Sequence, residues 1–375
     1  MLHVISGLRR GGAEVALLRL ITSPEMQGFG HSVLALHGDR SLQPLFEEQG
    51  IETSSIGIEK AAYDPRAMLR SLSSVSELRR HDLVNGLMYH GCLYATLGSM
   101  VPGRRPLVWN IRHSLDNWKA EKPSTRQLIR WLSRLSRWAD CIIYDSHRCK
   151  DQHTAFGYSA QNAIVIPNGL DTDEFRPDPA SRAAWRSSLG LGPEHFLIGH
   201  VARPDPIKAH PTAFAAAEIL ASRHAGVHFL FVGIDETAEI VRSFRKSSRY
   251  NDRFFFLGER ADVASIMPAL DLLWLTSLSE SHPNVILEAM ASGVPCLSTE
   301  VGDVREMILD PARVVPVNDA PALAAAALGV AELPASERAR LGAEARAHIV
   351  AQYGLERMAS LYARTYEALC GTGPG

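Results

Sequence analysis

The sequence has almost no excess of either charge. Its 39 Lys and Arg stand against 41 Asp and Glu, a formal charge of -2 over 375 residues. A nucleic-acid binder needs a basic surplus to neutralise phosphates, so that class of partner is excluded. No apolar run reaches the roughly eighteen residues that a membrane-spanning helix requires. Residues 1–8 are apolar, but they are too few for the core of a signal peptide, and the Arg9-Arg10 pair follows them; they read as a first strand. Cysteine is scarce and unpaired in pattern. Cys92, Cys141, Cys149, Cys296 and Cys370 are odd in number and include no Cys-x-x-Cys, which points to reduced thiols in a cytoplasmic protein and away from disulfides or zinc.

What the chain does have is length for two domains, each with its own core. Short apolar runs alternate with amphipathic stretches throughout, the pattern of βα units around parallel sheets. Strands are expected at 2–6, 31–36, 51–56, 83–87, 107–111, 141–144 and 163–166. A hinge follows at Pro167-Asn168-Gly169 and the polar stretch 171–180. A second series begins there, with strands at 196–201, 227–232, 254–257, 272–275, 295–298 and 313–315. Helices at 320–331, 336–353 and 355–369 close the chain.

Two turns carry phosphate-loop chemistry. The first, Ser6-Gly7-Leu8-Arg9-Arg10-Gly11-Gly12-Ala13-Glu14, is glycine-rich and opens a helix, so backbone N–H groups can approach an anion. Its spacing is not the Gly-x-Gly-x-x-Gly of dinucleotide enzymes. A tight turn chosen only for helix packing explains it equally well. The second turn, Ala202-Arg203-Pro204-Asp205-Pro206-Ile207-Lys208, puts two cations on a proline-stiffened loop at the carboxyl end of a strand, where open α/β sheets bind ligands.

The most informative segment is 279–293, Ser-Glu-Ser-His-Pro-Asn-Val-Ile-Leu-Glu-Ala-Met-Ala-Ser-Gly. Pro283 suits a first helical turn and Gly293 a C-terminal stop, with Ile286, Leu287 and Met290 as the apolar stripe. Glu280 precedes this helix and Glu288 lies near its second turn, so both carboxylates can accept hydrogen bonds from sugar or ribose hydroxyls. The alternative is a helix-start charge worth ~0.3–1 kcal/mol and a surface residue.

With these residues in view, the chain resembles the retaining GT-B glycosyltransferases of family 4, the group of lipopolysaccharide and polysaccharide enzymes. The resemblance rests on Gly11-Gly12-Ala13-Glu14, on Val165-Ile166-Pro167-Asn168-Gly169-Leu170-Asp171 with Phe175-Arg176-Pro177, on Arg203 with Lys208, and on Glu280 and Glu288 in their Pro-Asn-Val-Ile-Leu-Glu-Ala-Met-Ala-Ser-Gly context. It implies an α/β protein of two Rossmann-like domains facing across a cleft. Residues 1–167 would form the acceptor domain, joined by a C-terminal helix at about 355–370 that crosses back to it, and 168–354 the nucleotide-sugar donor domain. Arg203 and Lys208 would stabilise the leaving diphosphate, Glu288 would bind ribose and Glu280 the transferred sugar, with His282, Pro283, Asn284 and Val285 lining the donor site. Gly11 and Gly12 would approach the phosphate, and His90 matches the family's active-site histidine. Where the family often has Gly and an apolar residue between the first Glu and the Pro, this chain has Ser281-His282. Arg112 and His113 resemble residues lining the family's interdomain cleft and are the acceptor-side or phosphate-side candidates.

The expected activity is retaining transfer of a hexose from a nucleoside diphosphate sugar to a glycan or lipid-linked acceptor, in surface-polysaccharide synthesis. No metal or other cofactor is expected, since cations and helix N–H groups can neutralise the diphosphate; Asp171-Thr172-Asp173 falls in the hinge, the wrong place for a metal site. Alternatives are a nucleotide-sugar 2-epimerase or phosphorylase on the same fold, or a silent donor-binding subunit. From 122 to 138 stand Lys122, Arg126, Arg130, Arg134 and Arg137 without an acidic residue, beside an apolar stripe of Leu128, Leu132 and Leu135 and with Trp131 and Trp138. This is a candidate contact with the anionic inner face of a membrane, or else a solvated basic face.

Overall fold

The computed structural model describes residues 1–9, 12–38, 41–57, 80–100 and 104–371. It divides into two compact units, Met1–Gly169 with Leu355–Gly375, and Leu170–Gly354.

In the first unit the strands are β1 (Leu2–Ile5), β2 (Ser32–Ala35), β3 (Glu52–Ser55), β4 (Val84–Leu87), β5 (Leu107–Ile111), β6 (Cys141–Tyr144) and β7 (Ala163–Val165). All pairs are parallel, in the order β3-β2-β1-β4-β5-β6-β7. Every residue of β1, β4, β5 and β6 is buried, which is why these strands read as mostly apolar runs without polar-apolar alternation. Buried polar residues interrupt these runs at His3, Asn85 and Asn110; the Asn85 amide nitrogen lies 3.1 Å from His3 Nδ1 and donates to the Tyr366 hydroxyl at 3.2 Å, and that of Asn110 donates to the Tyr362 hydroxyl at 2.7 Å. Tyr366 belongs to the C-terminal helix Leu355–Cys370, which returns to this unit and buries Met358, Ala359, Tyr362 and Tyr366 against Ile5, Leu87, Val108 and Ile143.

The second unit is built on β8 (Phe196–Val201), β9 (Val227–Val232), β10 (Phe254–Phe256), β11 (Leu272–Leu275), β12 (Cys296–Thr299) and β13 (Val314–Val315), in the order β10-β9-β8-β11-β12-β13 and again parallel. The period-2 alternation of strand side chains sends Phe196, Ile198, Phe229, Phe231, Leu272 and Trp274 to one face. There they meet the helices His210–Arg223, Glu239–Ser247 and Ala320–Ala331. Leu197, Leu230, Leu273 and Leu275 go to the other face, against Asn284–Ala291 and Ala335–Tyr353. Each such side chain contributes about 1.5–3 kcal/mol by leaving water.

Several element ends differ from expectation by a residue, as at β1, β2, β3, β4, β7, β10 and β13, and two boundaries have a cause in proline. Strand β12 begins at Cys296, because Pro295 has no N–H to give the ladder and offers only its carbonyl, to Leu273 at 3.0 Å. The helix after β11 begins at Asn284, with Pro283 extended (φ -72°, ψ 109°) in the capping position. Asp171 caps its own turn, its Oδ1 accepting from the N–H groups of Asp173 and Glu174 at 2.9 and 3.1 Å.

Candidate active site

In both sheets the strand order reverses beside the first strand, between β1 and β4 and between β8 and β11. Loops leaving the carboxyl ends of such neighbours diverge and open a crevice. In the second unit these are the loops carrying Arg203 and Lys208, after β8, and Glu280, after β11.

The loop after β8 is shaped by its own sequence. Asp205 Oδ1 accepts from the Ile207 N–H at 3.0 Å and caps a single 3-10 turn, Pro206–Lys208. Ala209 then takes a left-handed conformation (φ 49°, ψ 47°), strained for a residue with a Cβ, and the helix His210–Arg223 starts. The loop after β11 holds this turn in place. Thr276 donates its hydroxyl to the Lys208 carbonyl at 2.8 Å, and the Leu278 N–H donates to the Ile207 carbonyl at 2.8 Å. His200, buried in β8, sits with Nε2 3.0 Å from the Thr276 hydroxyl. Since that hydroxyl's proton goes to Lys208, Nε2 is the donor. Burial, and then the neighbouring His210 and Lys208, hold the His200 pKa well below the usual histidine value, so the ring is neutral.

The result is a direct ion pair. Lys208 Nζ lies 2.6 Å from Glu280 Oε1, and Ser277 donates to the same oxygen at 2.6 Å. The two side chains are only 23% and 15% exposed, so the pair is shielded from much of the solvent that weakens surface pairs. Arg203 differs: its side chain is 68% exposed and meets Asp205 at 3.9 Å. Glu288 is half-buried on the helix Asn284–Ala291, in which Ile286, Leu287 and Met290 face the core. Asn284 and Val285 are half-buried in its first turn, while Pro283 and His282 are buried, the His282 ring 5.3 Å from that of Tyr353.

Two glycines that sequence reading passed over complete this region. Gly233, after β9, has φ 99°, and a Cβ there would stand 2.4 Å from the Ala202 carbonyl oxygen. Gly302, after β12, has φ 49°, and its Cβ would stand 2.1 Å from the Ser281 carbonyl oxygen. Both let backbone press against the loops that carry Arg203 and Glu280.

The first unit repeats the geometry with different chemistry. Met88 follows β4 in the left-handed region (φ 57°), as Ala209 follows β8, and the helix Met88–Ser99 carries half-buried His90 in its first turn. Burial, then the charge of His37, lowers the His90 pKa, leaving a neutral imidazole. Gly12 opens the helix Gly12–Ile21 and is exposed, with nothing within 4 Å of an added Cβ, so packing does not demand glycine there. Gly11 lies outside the described residues. Arg112 turns to Asn110 Oδ1 (3.2 Å) and the Tyr362 hydroxyl (3.4 Å). Burial opposes its charge, but Tyr362 and Asp145 outweigh that and raise its pKa. His113 Nε2 lies 2.9 Å from Glu121, whose pKa the bond lowers. Arg112 and His113 are thus tied to partners within the unit and not to each other.

Comparison with known proteins bears on this arrangement. The profile of Glycosyltransferase Family 4 matches residues 10–174, and that of Glycosyl transferases group 1 matches 195–332. N-acetyl-alpha-D-glucosaminyl L-malate synthase of Bacillus anthracis is 35% identical over 307 residues, covering 80% of this chain and 78% of that protein. The chain belongs to glycosyltransferase family 4. It is an enzyme of the hexosyltransferase type, and its two Rossmann-like units make it a GT-B protein. The lipopolysaccharide core biosynthesis mannosyltransferase LpsB of Rhizobium meliloti is 27% identical over 264 residues, 66% of this glycosyltransferase and 70% of LpsB. The crystal structure of Anabaena Alr3699/HepE in complex with UDP and glucose shares the fold, with a TM-score of 0.83 at 21% identity over 98% of this chain and 99% of that one. In the family 4 chain the expected donor residues Arg203, Lys208, Glu280 and Glu288 come from two adjacent strand ends of one unit, although 72 residues separate the ion-paired members.

Proposed function

We propose that this enzyme transfers a hexose, with retention, from a nucleoside diphosphate sugar to a hydroxyl of a glycan or lipid-linked acceptor in surface-polysaccharide assembly on the cytoplasmic side. The observation that carries the reading is the shielded Lys208–Glu280 pair at the β8/β11 reversal. It offers a cation for a diphosphate beside a carboxylate for sugar hydroxyls, with Glu288 one helical stretch away for ribose. The UDP and glucose named for the HepE structure and the lipopolysaccharide role named for LpsB support this reading.

In the proposed reaction the acceptor oxygen bonds to the anomeric carbon on the face the diphosphate leaves. The carbon–oxygen bond to phosphate breaks, and the acceptor's proton passes to the departing phosphate oxygen. Lys208, Arg203 and the N–H groups at the start of Asn284–Ala291 meet the developing charge, so no metal or other cofactor enters. His90, kept neutral, serves the same transfer as a hydrogen-bonding group, and Gly12 leaves room for the phosphate. Donor incubated with and without acceptor tests the reading: glycosylated product forms only with acceptor, is unaffected by EDTA, and keeps the donor's anomeric configuration. Conversion of the donor alone identifies an epimerase instead, and binding without turnover a silent subunit.

The acceptor side includes a membrane surface in this proposal. The helix Pro123–Leu135 buries Leu128, Ile129 and Leu132, while Lys122, Arg130, Arg134 and Arg137 are exposed. Trp131 and Trp138 are also exposed, at 44% and 45%, among these cations. No described helix is long and apolar enough to cross a membrane, so this face would lie on anionic lipid, with indoles at headgroup depth. Flotation with vesicles rich in phosphatidylglycerol should show binding that salt abolishes and Trp131→Ala weakens; equal binding to neutral vesicles, or none, removes the idea.

A further inference from the structure

A diphosphate reaching Lys208 must deal with the bond that Lys208 already makes. Its ammonium is 2.6 Å from Glu280, and the carboxylate is the better-anchored partner of the two. Ser277 holds the same Glu280 oxygen at 2.6 Å, and the backbone of Glu280 and Ser281 lies against Gly302. Lys208 is fixed through its carbonyl by Thr276, but its ammonium ends a flexible four-carbon stem and can be redirected. Carboxylate and phosphate are both anions seeking the same cation in a partly desolvated place, where their competition is strong.

We propose, resting on the donor-site reading above, that Glu280 is a built-in competitor for the phosphate site. Phosphate displaces the carboxylate at Lys208, and Glu280, released, takes hydrogen bonds from the hydroxyls of the donor's sugar. A donor therefore compensates Glu280 for the cation it loses. A nucleoside diphosphate without sugar does not, so Glu280 recaptures Lys208 and expels it. Glu280 in this account determines specificity for donor over product, in addition to its contact with the sugar.

A double-mutant cycle on nucleotide affinity tests this, with UDP, GDP and ADP titrated in parallel into wild type, Lys208→Ala, Glu280→Gln and the double variant. Glu280→Gln keeps the shape and the Ser277 contact while removing the competing charge. The expected result is about tenfold tighter nucleoside diphosphate binding in Glu280→Gln, the effect of freeing one charge-assisted bond, with stronger product inhibition and slower turnover. In the Lys208→Ala background the gain vanishes. No gain in Glu280→Gln overturns the proposal, and so does an equal gain without Lys208, which would mean general repulsion. Lys208→Ala that binds nucleotide as wild type does, or binding to none of the four proteins, removes the donor-site reading itself. Loss in Lys208→Ala without gain in Glu280→Gln removes only the exchange.

Discussion

The two strand-order reversals of this enzyme use one backbone solution for two chemistries. At each, a non-glycine residue in the left-handed region, Met88 or Ala209, turns a buried strand or its loop into a helix. In the first unit that turn presents His90, whose charge burial suppresses; in the second it presents Lys208, whose charge Glu280 balances. The shared geometry is a property of the parallel sheet, and the side chains placed on it decide whether the crevice suits an anion or a neutral hydroxyl. Strain at both positions is the cost of aiming those side chains, and it is met by packing elsewhere.

The comparison breaks first at Lys208. Lys208→Ala should cut kcat/KM by about a hundredfold to a thousandfold, the effect of removing one preorganised donor to developing charge, with the circular-dichroism melt little changed. Turnover near wild type would place the phosphate elsewhere. His90→Ala should lower kcat by about tenfold to a hundredfold, one hydrogen bond's worth, while nucleoside diphosphate affinity in titration stays within about twofold. A matching loss of nucleotide affinity would erase the distinction between the two reversals. Gly302→Ala forces a Cβ against the Ser281 carbonyl at a positive φ, and should cost about 1–3 kcal/mol in denaturant unfolding along with donor affinity.

A different handle on the first unit is acid, and near pH 6 its effect is small. His31 and His153, both in the first unit, have pKa values that burial lowers to about 4 from about 6.5 in the unfolded chain. As pH falls from 6.5 to 4 the unfolded chain takes up protons that the folded unit refuses. The contribution of these two groups is therefore flat above pH 6.5 and is lost through that window. Melting temperatures at pH 7.5, 6.5, 5.5 and 4.5 check the sign. His153→Gln should flatten part of the decline.

Much of this was legible in the sequence because the sheets are parallel and covered on both faces. The runs of β5, β6, β8, β9 and β11 are apolar but for Asn110, His200 and His228, and expectation and structure share their limits. Functional candidates were legible because such sheets expose chemistry at strand carboxyl ends, where Arg203, Lys208 and Glu280 stand. What could not be read was pairing across long separations. Nothing near Lys208 in the chain names Thr276 or Glu280 as its partners, and nothing near Arg112 names Tyr362, 250 residues on. Gly233 and Gly302 were missed because an isolated glycine in a loop has no period. They are recognisable only when the carbonyls of Ala202 and Ser281 are seen to occupy the Cβ positions. Ala209 went unnoticed because alanine does not advertise a left-handed turn.

The most direct measurement is a crystal structure of the enzyme grown with a UDP-, GDP- or ADP-sugar, whichever raises its melting temperature most. The account predicts a diphosphate oxygen within about 3 Å of Lys208 Nζ, ribose hydroxyls on Glu288, and Glu280 no longer bonded to Lys208. A nucleotide seated away from the β8 and β11 strand ends, with Lys208 and Glu280 still joined, would contradict it.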